Sequence, residues 1–126
     1  MKDSNVLIAE FMGYESYKYR GYRMFVFEQD NHRTDVDLHY HTSWNWLMPV
    51  VEKIEEIPLE EVEGAYKVHR FCVDLEFTQA EITDTSSGLI VGYGDGGNKL
   101  DSTYQAVVEF IKWYNKNQKA WKIQTD

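Results

Sequence analysis

The chain has 126 residues, 43% of them hydrophobic and 27% charged, with 13 Lys and Arg against 21 Asp and Glu for a net charge of −8. That length suits one domain with one core, and the composition excludes a wholly disordered chain. The acidic balance argues against non-specific binding to nucleic acid or to an anionic membrane, because both need a basic surface.

Helix one is expected over residues 5–12. Leu7, Ile8, Phe11 and Met12 recur at helical spacing, with Ser4 as N-cap and Gly13 as C-terminal stop. Residues 13–23 hold Tyr14, Tyr17, Tyr19 and Tyr22 among Lys18, Arg20 and Arg23, and read as a loop or edge segment. Residues 24–28 are dense in Phe and Val and read as a strand. Residues 29–42 are polar and read as a loop. Helix two follows, capped by Thr42 or Ser43. Its stripe is Leu47, Val50, Val51, Ile54 and Ile57, and Pro58 ends it. Pro49 removes a donor within that helix, which predicts a bend or a later start.

Residues 59–64 form an acidic connection. Residues 66–77 are the longest strand candidate. Phe71, Val73, Leu75 and Phe77 alternate with Cys72, Asp74 and Glu76, and a change of parity upstream suggests a bulge near His69 and Arg70. Further strands are expected over residues 80–84 and 89–93, joined by the turn Thr85-Ser86-Ser87-Gly88. Helix three opens on Ser102-Thr103-Tyr104-Gln105, a capping-box pattern, with the stripe Tyr104, Val107, Val108, Ile111 and Tyr114. The expected fold is α+β: helices on a small, mainly antiparallel sheet, in the order α-β-α-β-β-β-α. A single domain is expected over residues 1–126, with its core at 5–115 and a polar tail at 116–126.

No stretch approaches the roughly 20 apolar residues of a membrane-spanning helix. The start, Met1-Lys2-Asp3-Ser4-Asn5, is unlike a signal-peptide core, and the lone Cys72 forbids an intrachain disulfide. A soluble protein of a reducing compartment, the cytoplasm, is the expectation.

Three blocks together resemble a known family: Leu7-Ile8-Ala9-Glu10-Phe11-Met12-Gly13, the Trp-rich helix with Leu47-Met48-Pro49-Val50-Val51-Glu52-Lys53-Ile54, and Ala106-Val107-Val108-Glu109-Phe110-Ile111-Lys112-Trp113-Tyr114-Asn115. They resemble the phage ABA sandwich domain proteins, small proteins of bacteriophages and of prophages in gut bacteria. The resemblance spans residues 6–115. It implies a layered helix–sheet–helix sandwich, a phage or prophage origin and action inside the bacterial host cell. It implies no activity and no catalytic residues. Residues 14–41 resemble the family least, so a function special to this chain is expected there.

The densest chemical cluster is His32-Arg33-Thr34-Asp35-Val36-Asp37-Leu38-His39-Tyr40-His41. In an extended strand His39 and His41 share one side, and with Asp37 they could offer imidazole and carboxylate to a metal such as Zn²⁺. The plainer reading is a solvated loop leading into helix two. Gly92-Tyr93-Gly94-Asp95-Gly96-Gly97-Asn98-Lys99 precedes a helix, where amides can hold an anion, but it lacks the Gly-Lys-Ser/Thr ending of a P-loop. The plainer reading there is a flexible turn.

The Tyr14–Arg23 stretch interleaves aromatics with cations, as single-strand binders do. Tyr and Arg are also the residues enriched at protein-interface hot spots. Glu52, Glu55, Glu56, Glu60, Glu61 and Glu63 read as a solvated face, and Trp44, Trp46 and Trp113 as core or rim. No nucleophile–base pair is visible, and no cofactor is implied. The expectation is a non-enzymatic protein-interaction module that binds a host or phage protein through Tyr14, Tyr17, Tyr19, Arg20, Tyr22 and Arg23. The alternatives are a metal-binding protein using Asp37, His39 and His41, or a single-stranded nucleic-acid binder using residues 14–23.

Overall fold

The computed structural model describes residues 2–58 and 70–125. Three helices and two three-stranded antiparallel sheets make an α+β fold. In chain order they are α1 (Lys2–Phe11), β1 (Ser16–Tyr19), β2 (Tyr22–Glu28), β3 (Asn31–Thr34), a 3₁₀ turn (Asp35–Asp37), α2 (Trp44–Glu56), β4 (Phe71–Glu76), β5 (Gln79–Asp84), β6 (Leu89–Gly94) and α3 (Lys99–Thr125).

Helix α1 ends as its glycine predicts. Gly13 sits at φ +84°, its N–H bonds the Glu10 carbonyl at 3.0 Å, and the Tyr14 N–H reaches back to Ala9 at 3.3 Å. That pair of bonds is a Schellman stop, and it turns the chain into the first sheet. β1, β2 and β3 form a meander. Arg20 and Gly21, at φ 50° and 82°, make a two-residue turn that puts Tyr19 opposite Tyr22. Positive φ at both central positions is the mirror-type turn whose twist suits a hairpin.

Ser43 occupies the N-cap of α2. Its carbonyl takes the N–H groups of Trp46 and Leu47, both at 3.1 Å, while its hydroxyl makes no cap bond. The helix starts at Trp44 and runs to Glu56 with Pro49 inside it, so the later start suggested by the proline does not occur. Pro49 lies on the exposed side, where a lost N–H can be made good by water.

β4, β5 and β6 form the second sheet, and α3 lies against β5 and β6. The approach is close because β6 presents glycines to the helix. A Cβ on Gly92 would come within 2.5 Å of the Ala106 carbonyl oxygen, and one on Gly94 closer still to that of Ser102. The main core lies among α1, α2, α3 and the inner sheet faces. Ile8, Phe25, Leu47, Val50, Ile54, Phe71, Ile82, Val107, Phe110 and Ile111 are all fully buried there. The rings of Phe71 and Phe110 meet edge-on at 4.7 Å, and Phe110 stacks on Tyr114 at 5.5 Å.

Several expectations are corrected. Residues 13–23, read as a loop or edge segment, hold β1 at the edge of the sheet, and residues 29–42, read as a loop, contribute β3, because pairing with β2 satisfies their backbone although their side chains remain mostly exposed. The observed order is therefore α-β-β-β-α-β-β-β-α rather than α-β-α-β-β-β-α. Ser4 falls inside α1, which already begins at Lys2.

Ser102 likewise lies within α3, which begins at Lys99 and continues to Thr125, through the stretch read as a tail. Asn98 takes the capping role. It accepts from the Asp101 N–H at 2.9 Å and donates to the Asp101 carboxylate at 2.9 Å. Phe77 leaves the alternation of β4 and sits in the β4–β5 turn at φ 54°, 82% exposed. The acidic connection and the upstream part of the long strand candidate lie outside the described residues, as does His69 of its bulge.

Candidate functional site

Residues paired across a ladder share a face, so the register sorts the aromatic hairpin. Tyr17 faces Met24 and Tyr19 faces Tyr22, which gathers the three tyrosines on one face with Met24. Lys18 pairs with Arg23 on the other face. Tyr17, Tyr19 and Tyr22 are 42%, 54% and 51% exposed. The Tyr17 hydroxyl meets His32 Nδ1 at 2.7 Å, and the two rings cross edge-on at 5.6 Å. At the turn, the Arg20 guanidinium lies 5.3 Å from the Tyr19 ring centre. An arginine at positive φ stores strain of order 1 kcal/mol.

Two of the six residues read as one patch are elsewhere. Arg23 turns to the inner side, where it donates to Glu10 at 3.1 Å and to Ser16 at 3.0 Å and covers the Phe25 ring. Tyr14 packs on Phe27 with ring centres 4.4 Å apart. The cations and tyrosines interleaved in sequence are thus largely separated by the strand alternation, which weakens the stacking-platform pattern of a single-strand binder.

Tyr14 instead forms part of a cleft of about 230 Å³ between the first sheet and the start of α2. Met12, Phe27, Asn31, Arg33, Tyr40, Asn45, Trp46 and Pro49 complete its lining. Phe27 and Tyr40 both meet Trp46 edge-on, at 5.4 and 5.2 Å, and the Arg33 guanidinium lies 5.1 Å from the Trp46 ring centre. Tyr40 is 2% exposed, and its hydroxyl has no hydrogen-bond partner among the described residues. Burial, and secondly the neighbouring Tyr14, push its phenol far above the usual tyrosine range, so it stays a neutral donor. Of this lining the sequence singles out only Tyr14 for binding; Phe27 reads as strand and the rest as helix or loop. The aromatic count was the available signal.

The three residues proposed as metal ligands divide between two neighbourhoods. His39 Nε2 meets Asp37 at 2.9 Å, and Arg33 donates to the same carboxylate at 3.3 Å. His41 faces the other way, with its Nδ1 2.9 Å from the Asn5 amide and its ring 6.0 Å from that of Tyr104. Asn5 is buried at a junction: it donates to the Leu38 carbonyl at 3.0 Å and accepts from the Tyr104 hydroxyl at 2.9 Å. Among the described residues, no group of three His, Cys, Asp or Glu is placed to hold a metal ion.

The glycine loop before α3 is committed to packing. Its Gly96 N–H bonds the Ser102 hydroxyl at 2.8 Å, its Asp95 N–H bonds Gln105 at 3.2 Å, and Ser102 in turn donates to the Thr78 carbonyl. Cys72 lies beside an open acidic cleft of about 490 Å³ lined by Glu52, Glu55, Glu56, Phe71 and Thr85. Burial, then Asp74 and Glu55, push its thiol upward, which disfavours the nucleophilic thiolate.

Compared with known protein families, curated proteins and solved structures, the chain matches none of them. No helix of the described residues is long and apolar enough to cross a membrane.

Proposed function

We propose that this chain is a non-enzymatic protein-interaction module, and that the outer face of the β1–β2 hairpin is its docking surface. The observation that carries this reading is the gathering of Tyr17, Tyr19 and Tyr22 on one exposed face. Large, rigid aromatic side chains supply contact area at low entropic cost, and tyrosine is enriched at hot spots. Arg20 supports it further, since asparagine or glycine would hold that turn with less strain, and the arginine sits over Tyr19.

The resemblance to the phage ABA sandwich domain proteins supports a phage or prophage accessory protein, layered as helix–sheet–helix. On that reading the partner is a host or phage protein in the bacterial cytoplasm. The test is affinity purification from the host with and without nuclease, using the natural chain and a Tyr17→Ala, Tyr19→Ala, Tyr22→Ala variant. A stoichiometric, nuclease-resistant partner should be retained by the natural chain. The variant, still folded by circular dichroism, should bind it about 100-fold more weakly. Undiminished binding by the variant removes this face from consideration, and a partner set lost with nuclease points to nucleic acid instead.

A further inference from the structure

We infer that the cleft between the first sheet and α2 binds a neutral, polyhydroxylated ring, a single sugar unit. Its walls are aromatic: Tyr14 against Phe27, Phe27 against Trp46, and Trp46 against Tyr40. Apolar surface of this kind suits the C–H face of a saturated sugar ring. Polar groups interrupt those walls. Asn31 and Asn45 bring amides that both donate and accept, and Arg33 brings N–H donors. Pro49 has no N–H, so the Asn45 carbonyl lacks its helical partner and adds an acceptor to the same turn.

The Tyr40 hydroxyl lies buried with no partner among the described residues, in a side chain that lines the cleft. A plain hydrocarbon ring would strip water from the Asn31 and Asn45 amides without replacing its hydrogen bonds, at a cost for each. A ring carrying hydroxyls matches donors and acceptors together.

Charge and size narrow the ligand further. No carboxylate lines the cleft among the described residues, and Arg33 is already balanced by Asp37, so a neutral ligand fits better than an ion of either sign. The volume of about 230 Å³ lies below the span typical of drug-sized ligands, which suits one ring. The cleft opens on the opposite side of the first sheet from Tyr17, Tyr19 and Tyr22, so this site stands apart from the docking face.

The experiment is saturation-transfer NMR and tryptophan fluorescence on the full chain. The probes are the methyl glycosides of glucose, galactose, mannose and N-acetylglucosamine, with indole as a ring that lacks hydroxyls. At least one glycoside should bind saturably, with Kd of about 1 mM or tighter. Asn45→Ala and Tyr40→Phe should each weaken it about fivefold, while Tyr19→Ala leaves it unchanged. Asn45 is exposed, so that variant decides the matter should Tyr40→Phe fail to fold. No saturable glycoside binding up to about 50 mM, or binding indifferent to Asn45→Ala, overturns the proposal. Saturable binding of indole alone also overturns it.

Discussion

A single methyl group at Gly94 would run into the Ser102 carbonyl oxygen of α3, a backbone atom that cannot step aside alone. Gly94→Ala should therefore force helix and sheet apart and cost about 3 kcal/mol, measured by urea unfolding; a neutral result would mean that α3 sits farther from β6. A second residue-level expectation concerns acid. Burial opposes the charge on Asp84, but bonds from Arg70 and from the Ser86 hydroxyl and N–H outweigh it and hold the carboxyl below its ordinary value of 3.8.

With its folded pKa depressed, Asp84 contributes stability above the unfolded pKa and loses it as pH falls through the folded one. Urea midpoints of the natural chain and Asp84→Asn should converge as pH falls below about 4, and a gap that ignores pH would rule out this linkage. Arg70→Ala, which leaves that carboxylate 4% exposed and short of its cation, should cost about 3 kcal/mol at neutral pH.

Among the elements, the β1–β2 hairpin depends most on its turn. Gly21 sits at φ 82° with open space around it, so Gly21→Ala meets backbone strain rather than a clash. It should cost about 1 kcal/mol in thermal unfolding, and hydrogen exchange should rise first in β1. An unchanged hairpin would show that α1 and the sheet interior, not the turn, hold it closed. The helices respond to different features. α1 stops because Gly13 completes a Schellman motif, whereas α2 tolerates Pro49 because the proline is on the solvent side.

For the molecule as a whole, the net charge of −8 sets a self-repulsion that salt screens. Thermal stability should rise as ionic strength goes from about 0.01 M to about 0.15 M, where the Debye length shrinks from about 30 Å to about 8 Å. A fall over that range would mean that favourable ion pairs such as Arg23–Glu10 outweigh the repulsion. The arrangement also keeps two surfaces apart. The exposed tyrosines occupy one side of the first sheet, and the aromatic cleft lies on the other, against α2.

Periodicity in the chain was enough for the three helices, for β2, β5 and β6, and for β4, whose alternation covers Phe71 and partly Val73 but leaves Leu75 exposed, because each of these buries at least part of a stripe or a face that the spacing records. It was not enough for β1 and β3. Their side chains are mostly exposed, so no apolar pattern marks them, and they form because β2 supplies backbone partners. The same limit applies to the sites. Clustering of tyrosines was visible along the chain, but which of them share a face depends on a register that pairs Tyr19 with Tyr22 and sends Arg23 inward. His39 and His41 alternate in sequence yet part company, because Asp37 and Asn5 sit on different sides of the chain there. The cleft draws on the link after α1, the first sheet, the loop before α2 and α2 itself at once, so only tertiary packing assembles it. Local spacing encodes burial; it does not encode which distant surfaces meet.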